Sequence, residues 1–362
     1  MTADSDLLLS QVLESAFALP AMLYTNPQIA ERERTAVFAR HWQLVAHAGQ
    51  VRDAGDHAIA EIAGVPLLIV RGEDGELRAL HNVCRHRAGP LATCDGRGAK
   101  SLRCKYHGWT YRLDGQLRSA PEMDGACAFD VADIRLPRAH VTQWQGQIFA
   151  ALESPPSLAE VLAGIDGRIG AHPLVGYTFD RRTSYEIACN WKVYVDNYLE
   201  GYHVPHIHPA LNKMLDYRSY TTTLAPWHSL QFSPLESADA LYGNGDALYY
   251  FVWPNIMLNI LPGRLQTNRV VPLAVNRCRV VFDYFYPVDR DDAAHRAQDE
   301  AFSDEVQHED IAICEQVQKR LASGSYHAGR LNPKRESGVW HFHEIYRRAL
   351  RKTDTATPCA SC

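Results

Sequence analysis

The sequence predicts an α+β protein of two domains, and three observations carry that prediction. From Trp42 to about residue 152 the chain runs in short strand-like stretches punctuated by glycine. Beyond residue 165, strand-like runs mix with two helical ones, at 191–203 and from about Asp291 to Ser323. Between the halves stands Pro155-Pro156, followed by a short helical SLAEVLAG, a plausible domain boundary. Sheet wrapped around long helices is an α+β arrangement.

Taken in order, residues 1–40 read as a helical segment, with Leu8, Val12, Phe17, Ile29, Ala36 and Phe38 at roughly helical spacing. A β-rich domain is expected over 41–155. HAIAEIAG and VPLLIVRG form its first strands, GEDGELRAL supplies a turn, HNVC reads as another strand, and VTQWQGQIFAAL as the last. A second domain is expected over 165–350. It opens with GYTFDRRTSYEIACN and includes YYFVWPNIMLNILPG and RCRVVFDYFYPV as strand segments. Residues 351–362 read as a mobile tail.

Composition narrows the function classes. The 362 residues are 46% hydrophobic and 22% charged, as in soluble globular proteins. No apolar run reaches the roughly 20 residues of a membrane span, and the N-terminus lacks a signal-peptide pattern, so a cytoplasmic protein is expected. A net charge of −5 with scattered signs gives no nucleic-acid footprint. Of nine cysteines, Cys94, Cys127, Cys189, Cys278 and Cys314 read as reduced buried thiols, and Cys359 and Cys362 fall in the tail.

Two cysteines are spoken for by the most specific pattern in the chain. Cys84-Arg85-His86 is followed, after seventeen residues, by Cys104-Lys105-Tyr106-His107. Two thiolates and two imidazoles are what a Rieske [2Fe–2S] centre requires, cysteines on one iron and histidines on the other. Zinc would also accept the set, but structural zinc sites usually draw their sulfurs from one knuckle, whereas here each loop carries one of each.

A second metal site is legible downstream. On a helix from Trp191 to His203, residues Trp191, Val195, Leu199 and Tyr202 form a packing stripe, and Asp196, Glu200 and His203 a neighbouring polar face. Pro205 disfavours continuation of that helix, so the chain can turn and bring His208 beside His203; His206 is the rival imidazole. Two histidines and one carboxylate hold a mononuclear non-haem iron with open positions. In the C-terminal helix, Phe302, Val306, Ile313, Val317 and Leu321 fall in one apolar sector with Asp310 inside it, where a carboxylate calls for a cation; Glu309 lies at the margin. Glu200-x-x-His203 and Glu305-x-x-His308 could also belong to a di-iron bundle, but residues 210–290 are strand-like, and four long helices cannot be assembled.

The stretch His81–Tyr111 resembles the Rieske domain of ring-hydroxylating oxygenases, and Asn190–Pro209, NWKVYVDNYLEGYHVPHIHP, resembles the iron-binding segment of their alpha subunits. The resemblance implies a helix-grip (START-like) catalytic domain, a [2Fe–2S] cluster on Cys84, His86, Cys104 and His107, and Fe(II) on His203, His208 and Asp310. It also implies that Glu200 links the two centres across a subunit boundary in a homotrimer. Glutamate at that place resembles the branch acting on quaternary ammonium compounds.

The chain lacks a nucleotide fingerprint, since Gly243-Asn244-Gly245 sits in a hairpin turn. Electrons are therefore expected from a separate NAD(P)H-dependent flavin/iron–sulfur reductase. The expected reaction is O2-dependent hydroxylation or oxidative demethylation of a small quaternary ammonium compound or aromatic acid. The rival class is an electron-transfer or ligand-binding protein without oxygenase turnover; about two hundred residues beyond the first domain weigh against it. Tyr198, Tyr202, Trp227, Phe232, Phe251 and Trp253 could build an aromatic cage or simply a core.

Overall fold

The computed structural model describes residues 8–354, except 171–172, 216, 236–240 and 289–291. Of the expected tail 351–362, residues 351–354 are instead the end of the last helix, and the rest, with Cys359 and Cys362, lies outside the described residues. The chain divides into two compact units, one of residues 38–158 with 172–175 and the other of the remainder.

The first unit is β-rich and antiparallel. Strands β1 (Gln43–His47), β2 (His57–Ile62), β3 (Val65–Arg71), β4 (Leu77–His81), β8 (Arg138–Trp144) and β9 (Gln147–Ala151) form a sheet in the order β1-β9-β8-β4-β3-β2. A smaller sheet holds β5 (Leu102–Arg103), β6 (Thr110–Tyr111) and β7 (Leu117–Ser119). Two details depart from the expected strands. VTQWQGQIFAAL is a hairpin and not one strand, because Gln145 and Gly146 both take positive φ (47° and 77°), the conformation of a tight two-residue turn. Of HNVC only His81 is strand, as the last residue of β4; 82–84 are loop, where Asn82 spends its side chain on the backbone of Leu91 and Ala92. Cys94 and Cys127 are exposed, against the expectation of burial.

The second unit is a seven-stranded antiparallel sheet: β10 (Tyr177–Ile187), β16 (Arg277–Pro287), β15 (Arg264–Ala274), β14 (Ile256–Leu261), β13 (Gly245–Val252), β12 (His228–Leu235) and β11 (Thr221–Leu224), in that order. Its helices include α1 (Pro27–Glu33), α2 (Trp191–Tyr198), α3 (Val204–Ile207), α4 (Pro209–Met214), α5 (Ala293–Leu321) and α6 (Ser337–Asp354). None of the described helices is long and apolar enough to cross a membrane. The N-terminal segment is broken where a helix was expected. Prolines 20 and 27 interrupt it, and regular α-helix begins only near Met22.

Asparagine and aspartate caps set the helix starts. Asn26, Asn190 and Asp292 accept the backbone N–H of Gln28, Lys192 and His295 at the heads of α1, α2 and α5. Helices α2 and α5 are clasped by polar contacts: Asn190 N donates to Gln318 Oε1 (2.8 Å), and the Tyr194 hydroxyl to Gln307 Oε1 (2.6 Å). At the centre of this unit Lys192, fully buried, pairs with Glu33, which also accepts from the Trp191 indole and the Tyr346 hydroxyl.

The buried face of α5 differs from the apolar sector read in the sequence. Asp299, Gln307, Cys314, Gln318 and Leu321 are its buried residues, whereas Val317 is exposed. The helix is held by polar groups, and its apolar sector is left facing cavities.

Removing either member of the Lys192–Glu33 pair strands a buried charge. Lys192→Met is expected to cost about 3–5 kcal/mol, and the double variant with Glu33→Met to recover most of it; denaturant midpoints measure both. A second expectation concerns His341 on α6. Burial, then Arg348 and His228, pushes its imidazole down to about 4. The unfolded chain takes up that proton near pH 6.5, the folded chain only near 4, so stability is lost as pH falls through this window. His341→Gln should shrink the loss between pH 7 and 5 by about 2 kcal/mol, read from denaturation curves at both values.

Candidate metal centres

Two loops of the β-rich unit are built alike. In each, the cysteine carbonyl accepts from the residue four places on (Ala88 N to Cys84 O, 3.0 Å; Gly108 N to Cys104 O, 3.0 Å). In each, the cysteine N–H donates to the residue five places on (Gly89 O and Trp109 O, both 2.9 Å). Ala88 and Gly108 close the two loops with positive φ, 55° and 76°. Cys84 and Cys104 are buried, while His86 and His107 are exposed with ring centroids 4.5 Å apart. The His86 ring stacks on Trp109 at 4.9 Å, and the Tyr111 hydroxyl sits 3.3 Å from Cys84 Sγ. A Cβ on Gly89 would come 2.7 Å from Cys104 Sγ, so glycine keeps that side of the cradle open. Thiols inside and imidazoles outside fit a cluster with a cysteine-held and a histidine-held iron. Arg85, Arg87 and Lys105 are exposed around the imidazole edge.

In the second unit His203, His208 and Asp310 each aim a donor atom at one point, all within 4.8 Å of one another. His208 Nε2 lies 3.0 Å and His203 Nε2 3.9 Å from Asp310 Oδ1. The route to this convergence differs from the one the sequence suggested. Helix α2 stops at Tyr198 and does not reach His203, because Glu200 turns back on its own backbone. Its carboxylate accepts from the N–H groups of Tyr202 and His203 and so competes with the helical ladder. Pro205 does not end a helix; it lies in the first turn of α3, where a missing N–H costs nothing. His203 and His208 are the two ends of α3, its N-cap and C-cap. His206 is exposed on the far side.

Each imidazole has a carboxylate behind it. His203 Nδ1 donates to Glu200 Oε1 (2.6 Å) and His208 Nδ1 to Glu309 Oε2 (2.7 Å), which leaves both Nε2 atoms free to ligate. Burial works against a charge on His208, but Asp310 and Glu309 more than offset it and raise its pKa. Asn197 Nδ2 donates to Asp310 Oδ1 at 2.6 Å and orients that carboxylate. The donor set, with one side open to a cavity, fits a mononuclear iron. The second half of the di-iron alternative fails to converge: the His308 side chain is 63% exposed and bonds within its own helix.

Two cavities meet at this centre. The first contains the three donors and is walled by Tyr194, Tyr198, Tyr220 and Tyr249. The second holds Asp196, Glu336 and His343 among apolar side chains. Asn197 and Glu200 line both. The apolar sector of α5 is shared between them, Phe302 and Val306 facing the first, Ile313, Val317 and Leu321 the second.

Of the six aromatics named from sequence, only Tyr198 reaches the first cavity. Phe251 and Trp253 pack on Phe342 of α6, Phe232 lies under Arg168, Trp227 under Arg348, and Tyr202 is exposed. Sequence reasoning missed Asn197, the carboxylate role of Glu309, and the walls Tyr194, Tyr220 and Tyr249. Strand alternation could have put Tyr249 on the face of β13 opposite Leu248 and Tyr250, but could not tell where a cavity replaces packing.

Residues 41–138 match the Rieske [2Fe-2S] domain family, and residues 174–352 the ring hydroxylating alpha subunit (catalytic domain) family. The chain is 36% identical to a chloroplastic choline monooxygenase of Arabidopsis thaliana over 94% of its own length and 84% of the relative's. It is 29% identical to the carnitine monooxygenase oxygenase subunit of Escherichia coli K12, over 92% and 93% of the two chains. Among solved structures, a quaternary ammonium Rieske monooxygenase in complex with L-carnitine superposes with a TM-score of 0.85 at 26% identity, covering 93% of this chain and 96% of that one. Naphthalene 1,2-dioxygenase shares the fold, with a TM-score of 0.77 at 17% identity over 95% and 94%.

Asp310→Ala and His208→Ala are expected to empty the mononuclear site and leave the cluster's visible absorbance intact. Glu309→Ala should weaken iron binding by about 10–100-fold through loss of the imidazole's partner. Iron titration of the stripped protein, with sulfide assay as control, measures both.

Proposed function

The chain belongs to the Rieske-type ring-hydroxylating oxygenases as an alpha (oxygenase) subunit, and from that premise we propose that it monooxygenates a small quaternary ammonium compound in the first cavity. It is an enzyme with a [2Fe–2S] cluster and a mononuclear iron, and it works with a separate reductase. When bound, the iron activates O2 and the cluster delivers single electrons. The ligands we assign are Cys84, His86, Cys104 and His107 for the cluster, and His203, His208 and Asp310 for the iron.

The observation carrying the substrate reading is the character of the cavity wall. Tyr194, Tyr198, Tyr220 and Tyr249 line the cavity together with the Glu200 carboxylate, an aromatic surface that suits a trimethylammonium group. Burial raises the phenols of Tyr194, Tyr198 and Tyr220 well above their ordinary value, so they remain neutral. The named activities of the choline and carnitine relatives support the same reading.

Glu200 holds His203 in one tautomer and stands in the wall between the two cavities. The second cavity is the place we assign to a neighbouring subunit's cluster in a homotrimer, a heterologous interface closed by three-fold symmetry. Charge supports this. Burial, then Glu200 and Asp196, raises Glu336, so three carboxylates crowd one space. The cations at the imidazole edge, Arg85, Arg87 and Lys105, complement them. The electron donor is then an NAD(P)H-dependent flavin/iron–sulfur reductase in the cytoplasm.

Two measurements test these readings. Choline, carnitine and benzoate incubated with pre-reduced protein and O2 should give product from an ammonium compound; turnover of benzoate alone would overturn the substrate class. Co-assembled trimers of a cluster-less Cys84→Ala subunit and an iron-less Asp310→Ala subunit should regain part of the activity. Verified mixed trimers with none would confine electron transfer to one subunit and remove the role given to Glu200.

A further inference from the structure

Strand β15 sends Arg264, Gln266 and Asn268, alternate residues on one face, into the wall of the first cavity. Arg264 is 4% exposed, and a guanidinium so buried needs a partner. Asp299 provides it, 3.0 Å from Nη1, and is itself held by the hydroxyls of Tyr242 and Tyr286. The pair is neutral overall, so the arginine stays charged in a dry wall without repelling a cationic ligand. Its hydrogen bonds are incomplete. Nη1 donates to Tyr242 and Nη2 to Gln266, while Nε has no partner among the described residues. Asn268 Oδ1 and Gln307 Nε2, on the same cavity, are also unpartnered among the described residues. A structure that buries polar groups normally satisfies them, and these three, lining one cavity, are groups that a ligand there would satisfy.

The place of Arg264 in the cavity matters as much as its chemistry. Asp299, its partner, precedes Asp310 by eleven residues on α5, about 16 Å of helix rise. The guanidinium therefore stands at the end of the cavity remote from the iron ligands. We infer that Arg264, set by Asp299, is the specificity-determining residue that receives a carboxylate at the far end of the substrate, so that the preferred substrate is an extended zwitterion with its ammonium near the iron and not a simple alkylammonium. The carboxylate takes the Nε edge of the fork and displaces the amide of Gln266, which covers Nη2 in the free protein. This rests on the quaternary-ammonium reading above, and deepens it by fixing the other end of the molecule.

The test is binding to the metal-loaded, reduced protein without O2, by calorimetry. The probes are γ-butyrobetaine, butyltrimethylammonium, which has nearly the same shape without the carboxylate, and glycine betaine, whose charges are too close together to reach both ends. A charge-assisted hydrogen bond to a buried fork corresponds to about 10–100-fold in affinity. Wild-type protein should prefer γ-butyrobetaine over each of the others by that factor. Arg264→Lys keeps a cation against Asp299 but loses the fork, and should cut the preference over butyltrimethylammonium below about threefold. The neutral pair Arg264→Gln with Asp299→Asn should do the same, and serves if the lysine variant does not fold. Equal wild-type binding of γ-butyrobetaine and butyltrimethylammonium would overturn the role of Arg264 while leaving the ammonium reading in place. A preference that persists in the folded variants would overturn it too. Equal binding of glycine betaine would overturn the span. Binding of benzoate with none of the three ammonium probes would bring down the substrate reading itself.

Discussion

The ion pair of Lys192 and Glu33 is the fixed point from which the catalytic unit is built. Both residues are fully buried, and burial lowers the Lys192 pKa against the pull of Glu33. An isolated charge there would be prohibitively costly, so the pair forces α1 against the first turn of α2. The Trp191 indole and Tyr346 hydroxyl on the same carboxylate bring α6 into that arrangement. From this anchored turn the chain runs directly to Asn197, Glu200 and His203. A helix start held by three elements is a rigid base for ligands that must be placed to fractions of an ångström.

The same logic explains why α5 is polar where it is buried. A carboxylate cannot be oriented by hydrocarbon alone. Gln307 and Gln318 give the helix directional contacts to α2 and its N-cap, and Asp299 one to β15, and these fix its rotation. Asp310 therefore points at His208 and not toward the sheet. The apolar residues of the helix are released to line space, and that space is where a substrate can be held.

What could be read from sequence was what chemistry imposes locally. Cys84-x-His86 and Cys104-x-x-His107 were legible because each loop must present a sulfur and a nitrogen within a few residues. His203, His208 and Asp310 were legible because a donor set needs particular residue types. Strands β2, β3, β10, β14 and β16 followed from alternation and glycine turns, whereas β5–β7, β11, β12 and β15 were not read at all. What stayed hidden depended on side chains choosing between two partners. Glu200 could cap its own backbone or continue a helix, and the first won. Val317 and Phe302 could pack or face a cavity, and the helix period is identical in both cases. Arg264 carried no signal at all, since its partner Asp299 is distant in sequence and a strand arginine ordinarily points to water.

The imidazole edge of the twin loops has a further meaning. His86 and His107 are exposed in the single chain, beside Tyr106, itself 56% exposed. A redox group whose outer rim meets solvent is an uninsulated terminal: any small oxidant that diffuses past can discharge it as readily as the intended acceptor. Covering that rim would therefore act as insulation as well as connection, and reducing equivalents would be kept for substrate only while the terminal is sheathed by protein.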